Sequence, residues 1–145
     1  MAKEQKTKFE FFEHTSDAKF RAYGENLCEA FGNAALALFS IMTDIKKISP
    51  EIRKQITVKS TTRQSLLYDF LEELVYLVDT EAFLVCEVEC IEIKKEAGYY
   101  FLTVKIIGDK ADKYDVHTQI KAITYNDMFI TEEPGFVMVQ VVPDI

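Results

Sequence analysis

The sequence predicts an α+β fold: two helices packed on a mainly antiparallel β-sheet or open barrel. Three observations carry this expectation. Two stretches with helical apolar spacing lie in the first half of the chain. The second half is a succession of alternating, strand-like runs joined by short turns. No repeat, low-complexity tract or linker divides the 145 residues, so a single domain spanning 1–145 is expected. The 48% hydrophobic and 12% aromatic content supplies an ordinary globular core.

Phe9-Glu10-Phe11 starts a strand, and Phe20 and Ala22 alternate with Lys19, Arg21 and Tyr23 in a second one that ends at Gly24. His14 to Asp17 falls at the turn or bulge between them. Asn26 followed by Glu29 reads as a capping-box variant. The stripe Leu27, Ala30, Phe31, Ala34, Leu38, Ile41 then predicts a helix buried on one face that ends near Thr43-Asp44. Ile56 and Val58 make a short strand. Thr61 and Gln64 open a second helix, whose apolar face carries Leu67, Phe70, Leu71, Leu74 and Val78; its acidic residues Asp69, Glu72, Glu73 and Asp79 read as a solvated face. Leu84, Cys86, Val88 and Cys90 alternate with Glu87 and Glu89. The phase flips at Cys90-Ile91, where a bulge is expected. Ala97-Gly98 turns into a strand from Tyr99 to Ile107 closed by Gly108-Asp109. Gln119 to Tyr125 is a further strand, and Pro134-Gly135 turns into a last one from Phe136 to Val142.

Several function classes recede on composition. A net charge of −7 with scattered lysines is a poor match for a broad phosphate-binding surface. There is no apolar run able to span a bilayer, and Met1 to Lys8 lacks the apolar core of a secretory signal, so no membrane partner and a cytoplasmic location are expected. Cys28, Cys86 and Cys90 have no zinc spacing and read as buried, reduced thiols.

The residues that could carry chemistry lie at the two ends. Asp17 follows His14-Thr15-Ser16, and Asp144 precedes Ile145, whose terminal carboxylate adds a further charge. If the first and last strands are neighbours, Asp17, Asp144 and the carboxylate of Ile145 converge. Such a set is either a cation site or a costly cluster of like charge. His14 reads as a structural histidine, because Ser16 lacks the glycines of a nucleophile elbow. No phosphate-cradling glycine loop is present. Lys121 reads as an exposed strand residue on the face of Gln119, Ile123 and Tyr125.

Beyond those readings, Glu13-His14-Thr15-Ser16-Asp17 resembles the D/E-H-T-A-D signature of the archease family. The helix from Glu29-Ala30-Phe31 to Met42-Thr43-Asp44, the segment Leu66 to Leu74, the strand Lys121 to Tyr125 and the Asp144-Ile145 end are similar to that family's segments in the same order. The resemblance implies an archease-like α+β fold. It also implies a role as a protein cofactor, not an enzyme, of the RNA-splicing ligase that joins 3′-phosphate or 2′,3′-cyclic phosphate ends to 5′-hydroxyl ends in tRNA splicing and RNA repair. Promotion of ligase guanylylation and multiple turnover is the implied action, with RNA met only through the ligase. A divalent cation is implied at Asp17, Asp144 and Ile145: calcium, with manganese or magnesium as alternatives. Lys121 falls on the family lysine, implied to serve ligase activation. Ser16 stands where the family has alanine, and Asn126 where many members have histidine; Asn126 cannot titrate near neutrality. Two rival readings are a chaperone or specificity modulator of a tRNA methyltransferase and a stand-alone metal-dependent phosphoesterase.

Overall fold

The computed structural model of the chain describes residues 7–13 and 18–145. Strands β1 (Phe9–Phe12) and β2 (Lys19–Gly24) precede helix α1 (Leu27–Met42). After a short 3-10 turn at Ile45–Lys47 come β3 (Ile52–Ser60), helix α2 (Arg63–Glu81), β4 (Phe83–Glu96) and β5 (Tyr99–Lys110). A second 3-10 turn at Ala111–Lys113 leads on to β6 (Ala122–Ile123), β7 (Phe129–Glu133), β8 (Phe136–Val141) and β9 (Pro143–Asp144). The strands form three antiparallel sheets, ordered β1-β2-β8-β7, β3-β5-β4 and β6-β9. The α+β expectation holds: two helices pack on open, antiparallel sheets.

The start of α1 follows its capping chemistry. Asn26 Oδ1 accepts from the Glu29 N–H at 2.8 Å, and Glu29 Oε1 accepts from the Glu25 N–H at 2.6 Å. One feature differs from expectation: α1 is buried on nearly all sides. Ala30, Phe31, Ala34, Ala35, Ala37, Leu38 and Phe39 are all fully buried. Alanines on several faces let β2 and β4 approach the helix from different sides, which places α1 between the sheets. Phe31 stacks on Phe70 of α2, with ring centroids 6.5 Å apart, and joins the two helices through the core. The cap of α2 is Thr62, one residue beyond the expected Thr61, in a reciprocal box with Ser65. Ala82, at φ 51°, ends that helix in the left-handed conformation.

The three-stranded sheet departs from the sequence reading in three places. β3 runs over nine residues, longer than its two obvious apolar positions suggest. β4 carries the expected register shift between Cys90 and Glu92, and another between Val85 and Glu87. The second shift is invisible to a pattern in which Cys86 keeps the alternation. Gly108, read as a terminator, lies inside β5, and a Cβ there would run into the Leu84 carbonyl oxygen. The glycine thus permits the close approach of β4 and β5. The cysteine expectation is overturned: Cys28 and Cys90 form a disulfide, with Cα atoms 5.7 Å apart, and only Cys86 is free. The early turn of α1 and the bulge of β4 are brought to disulfide distance by their packing, which spacing along the chain does not reveal.

Asp109, the last residue but one of β5, is nearly fully buried. It accepts from the Tyr114 hydroxyl at 2.7 Å, the Lys110 N–H at 2.8 Å and Lys113 Nζ at 3.2 Å. Bonding by Tyr114 foremost, then by Lys110 and Lys113, holds its carboxyl below the usual carboxylate range.

This sheet generates two predictions. Gly108→Ala should destabilise the fold by about 3 kcal/mol or more, as overpacking against backbone cannot relax easily. Gly98→Ala, in open space at φ 84°, should cost only about 1–2 kcal/mol of backbone strain. Urea denaturation of the two variants checks the contrast. Asp109, with its depressed carboxyl, stabilises the fold above the unfolded carboxylate value of about 4, and that contribution disappears as pH falls through its folded value. Melting curves of wild type and Asp109→Asn should therefore differ near neutrality and converge in acid.

Candidate functional site

The last strand changes sheets. β8 pairs with β2 on one side, Phe20 opposite Val141, and with β7 on the other, Phe129 opposite Gln140. One residue later the chain leaves that sheet, and β9 pairs with β6, Ala122 opposite Asp144 and Ile123 opposite Pro143. Pro143 has no N–H to give, so the pairing rests on other groups. The Lys121 N–H donates to the Asp144 carbonyl at 2.7 Å, and the Thr124 hydroxyl donates to the Val142 carbonyl at 2.7 Å.

This arrangement brings Lys121 beside Asp144 and Ile145 at one end of the molecule. Lys121 and Ile145 are exposed and Asp144 is half-buried. The expected pairing of the first and last strands is not found among the described residues: β1 pairs with β2 and β9 with β6, while β2 and β8 are the neighbours that link the two halves of the chain. Asp17 and His14 lie outside the described residues. Among the described residues no group of three His, Cys, Asp or Glu side chains is gathered for a metal ion. The Asp144 carboxylate is a hard oxygen donor, of the type calcium, magnesium and manganese take and soft metals do not.

The segment around Lys121 is not the long strand expected from Gln119 to Tyr125. Only Ala122 and Ile123 are in strand, because β9 offers just two residues to pair with. Nor does Lys121 share a face with Ile123, which is buried while the lysine is exposed. Helix α2 holds this segment at two points that sequence reasoning missed. Glu72 Oε2 accepts from the buried Ile123 N–H at 2.6 Å, supplying the bond that a further strand would give. Tyr68 stacks on Tyr125 with centroids 4.2 Å apart and planes at 7°. Burial, with the Asp69 charge adding to it, pushes the Tyr125 hydroxyl above its ordinary value. Asp69 accepts from the Ser60 hydroxyl at 3.1 Å. Glu72 and Asp69 are thus engaged with the fold, not members of a solvated face. Nothing in the helical pattern marks them, since both partners lie outside the helix, Ile123 far along the chain and Ser60 on β3. Asn126 is exposed, and its N–H donates to Thr124 Oγ1 at 3.2 Å.

Residues 9–145 match the archease protein family (MTH1598/TM1083), a span that takes in both the helices and the Lys121–Ile145 end. The chain belongs to the archease family. Protein archease of Methanosarcina barkeri is 41% identical over 143 residues, 97% of this chain and 98% of the relative. Protein archease of Pyrococcus furiosus is 42% identical over 140 residues, 94% and 98% of the two chains. Among solved structures, Methanobacterium thermoautotrophicum protein 1598 superposes with a TM-score of 0.81 at 34% identity, covering 95% of this chain and 99% of that one. A Thermotoga maritima archease, described as a possible chaperone, shares the fold at TM-score 0.58 and 18% identity over the whole of both chains.

Within this archease the Glu72 contact generates a prediction. Glu72→Ala leaves the buried Ile123 N–H without an acceptor and should cost about 1–3 kcal/mol. Glu72→Gln keeps a side-chain oxygen and should recover most of that. Urea denaturation gives the energies, and faster amide hydrogen exchange at Ile123 in the alanine variant locates the effect.

Proposed function

We propose that this protein is an accessory factor that activates an RNA ligase joining 3′-phosphate or 2′,3′-cyclic phosphate ends to 5′-hydroxyl ends. It acts by promoting guanylylation and multiple turnover of the ligase. Membership of the archease family supports the reading. The observation that carries it onto particular residues is the Lys121 N–H to Asp144 carbonyl bond, which sets an exposed lysine against the C-terminal acidic pair. Asp17, Asp144 and Ile145, the last through its terminal carboxylate, are the proposed ligands of a divalent cation, calcium foremost. Their hard oxygens fit such an ion. When bound, the cation supplies charge neutralisation and orientation at a triphosphate, most of what nucleotidyl transfer asks of its surroundings. Lys121 offers a compact positive charge to phosphate oxygens. Glu72, Tyr68 and Thr124 keep the Lys121–Tyr125 segment in place while the exposed end meets the ligase.

A second reading rests on a separate observation. Phe11 and Phe12, 49% and 37% exposed on edge strand β1, present apolar surface that a chaperone for a tRNA methyltransferase would use. The Thermotoga maritima protein's description as a possible chaperone points the same way.

Reconstitution with limiting ligase and cyclic-phosphate RNA tests the leading reading. Wild type should raise product well beyond one turnover per ligase. Lys121→Ala should fold and bind calcium yet lose at least a tenfold share of that stimulation, a change of about 1.4 kcal/mol in the activated step. Asp144→Asn should weaken calcium binding by titration calorimetry and lose stimulation with it. Unchanged stimulation by both variants, or ligation by this protein alone, would sink the proposal.

A further inference from the structure

Cys28 is the second residue of α1, and Cys90 stands on β4 at the register shift between Cys90 and Glu92. Both are half-buried, and both line a wide cleft of about 1590 Å³ that runs along the beginning of α1 and the outer half of β4. We propose that the Cys28–Cys90 pair is a redox-active site, independent of any ligase, that exchanges two electrons with thiol reductants, either a dithiol or a glutathione-type monothiol.

Three features of the pair support it. A disulfide in a cleft wall can be reached by an incoming thiolate, unlike one sealed in a core. The two sulfurs are also unequal. Cys28 lies in the first turn of a sixteen-residue helix, where unpaired backbone N–H groups favour a thiolate. The charged groups that line the same cleft are of both signs, among them Glu29, whose carboxylate accepts from the Glu25 N–H, and Glu92, Lys94 and Lys95 on β4. Cys90, in a strand, has no helix terminus to favour its thiolate. Finally, α1 has anchors besides the bond. The fully buried Ala30, Phe31, Ala34 and Leu38 pack it into the core, so the proposal requires the native structure to persist when the pair opens. The third thiol, Cys86, is a poor rival, since burial pushes it up and keeps it protonated.

Reduction proceeds in two exchanges. A reductant thiolate attacks Cys90 Sγ, a new S–S bond forms to the reductant, and Cys28 leaves as the thiolate, the better leaving group. A second reductant thiol, deprotonated, then attacks the reductant sulfur of that mixed disulfide. Cys90 departs as a thiolate and takes up a proton, and the reductant ends as its own disulfide. Oxidation is the reverse, with a disulfide such as oxidised glutathione accepting the two electrons.

Alkylation and intact-mass measurement on the full chain test this. Protein denatured without reductant after equilibration with oxidised glutathione should label at one cysteine of the three. After native incubation with excess dithiothreitol it should label at all three, and its thermal transition should remain cooperative. A glutathione series should give a two-electron titration between these states, retained in Cys86→Ser. Cys28→Ser should accumulate a glutathione adduct on Cys90, because the resolving thiol is gone. Three free thiols in every glutathione buffer would overturn the site. So would a bond that resists dithiothreitol until the protein is unfolded, or the absence of the Cys90 adduct in Cys28→Ser.

Discussion

The molecule is organised by the need for one short stretch of chain to serve two sheets. From Phe136 to Val141 the backbone is an interior strand with a neighbour on each side; from Pro143 it belongs to a different ribbon. The switch takes a single residue, Val142, which is itself buried. A buried carbonyl at such a crossing loses its ladder partner, and the Thr124 hydroxyl supplies the replacement. The pairing of β6, the placement of Lys121 and the contact of α2 with that segment all follow from where the crossing occurs.

That dependence explains what could be read without coordinates. Both helices, their approximate caps, the two early strands, the Gly135 turn and the bulge after Cys90 are local consequences of periodicity and turn chemistry, and they appear where expected. The features misjudged are those in which a distant partner overrides the local pattern. Gly108 reads as an ending until Leu84 is known to lie against it. Glu72 reads as a solvated charge until the Ile123 N–H is set before it. Cys28 and Cys90, 62 residues apart, read as separate thiols. The strand expected over Gln119–Tyr125 shrinks to two residues because alternation says what a segment can do, not whether an edge is available.

The candidate site shows the same division. Lys121, Asp144 and Ile145 are legible as residue types at the ends of strand-like runs, and the fold does bring them together. The supporting groups are not legible. Two come from α2, on a face whose helical spacing carries no mark of a neighbouring ribbon. The candidate side chains thus sit on a weak two-residue pairing, stiffened from behind by a carboxylate and a stacked tyrosine pair.

The change of sheet also gives the chain a mechanical character. Tension applied beyond Asp144 would meet first the two-residue pairing of β9 with β6, which has few bonds to share it. β8, next along the chain, has bonds to β2 on one side and β7 on the other to share the force. The weakest link under pull is therefore the contact between Lys121 and Asp144. A partner that tugged on this end would detach the lysine from the acidic pair well before it disturbed the core.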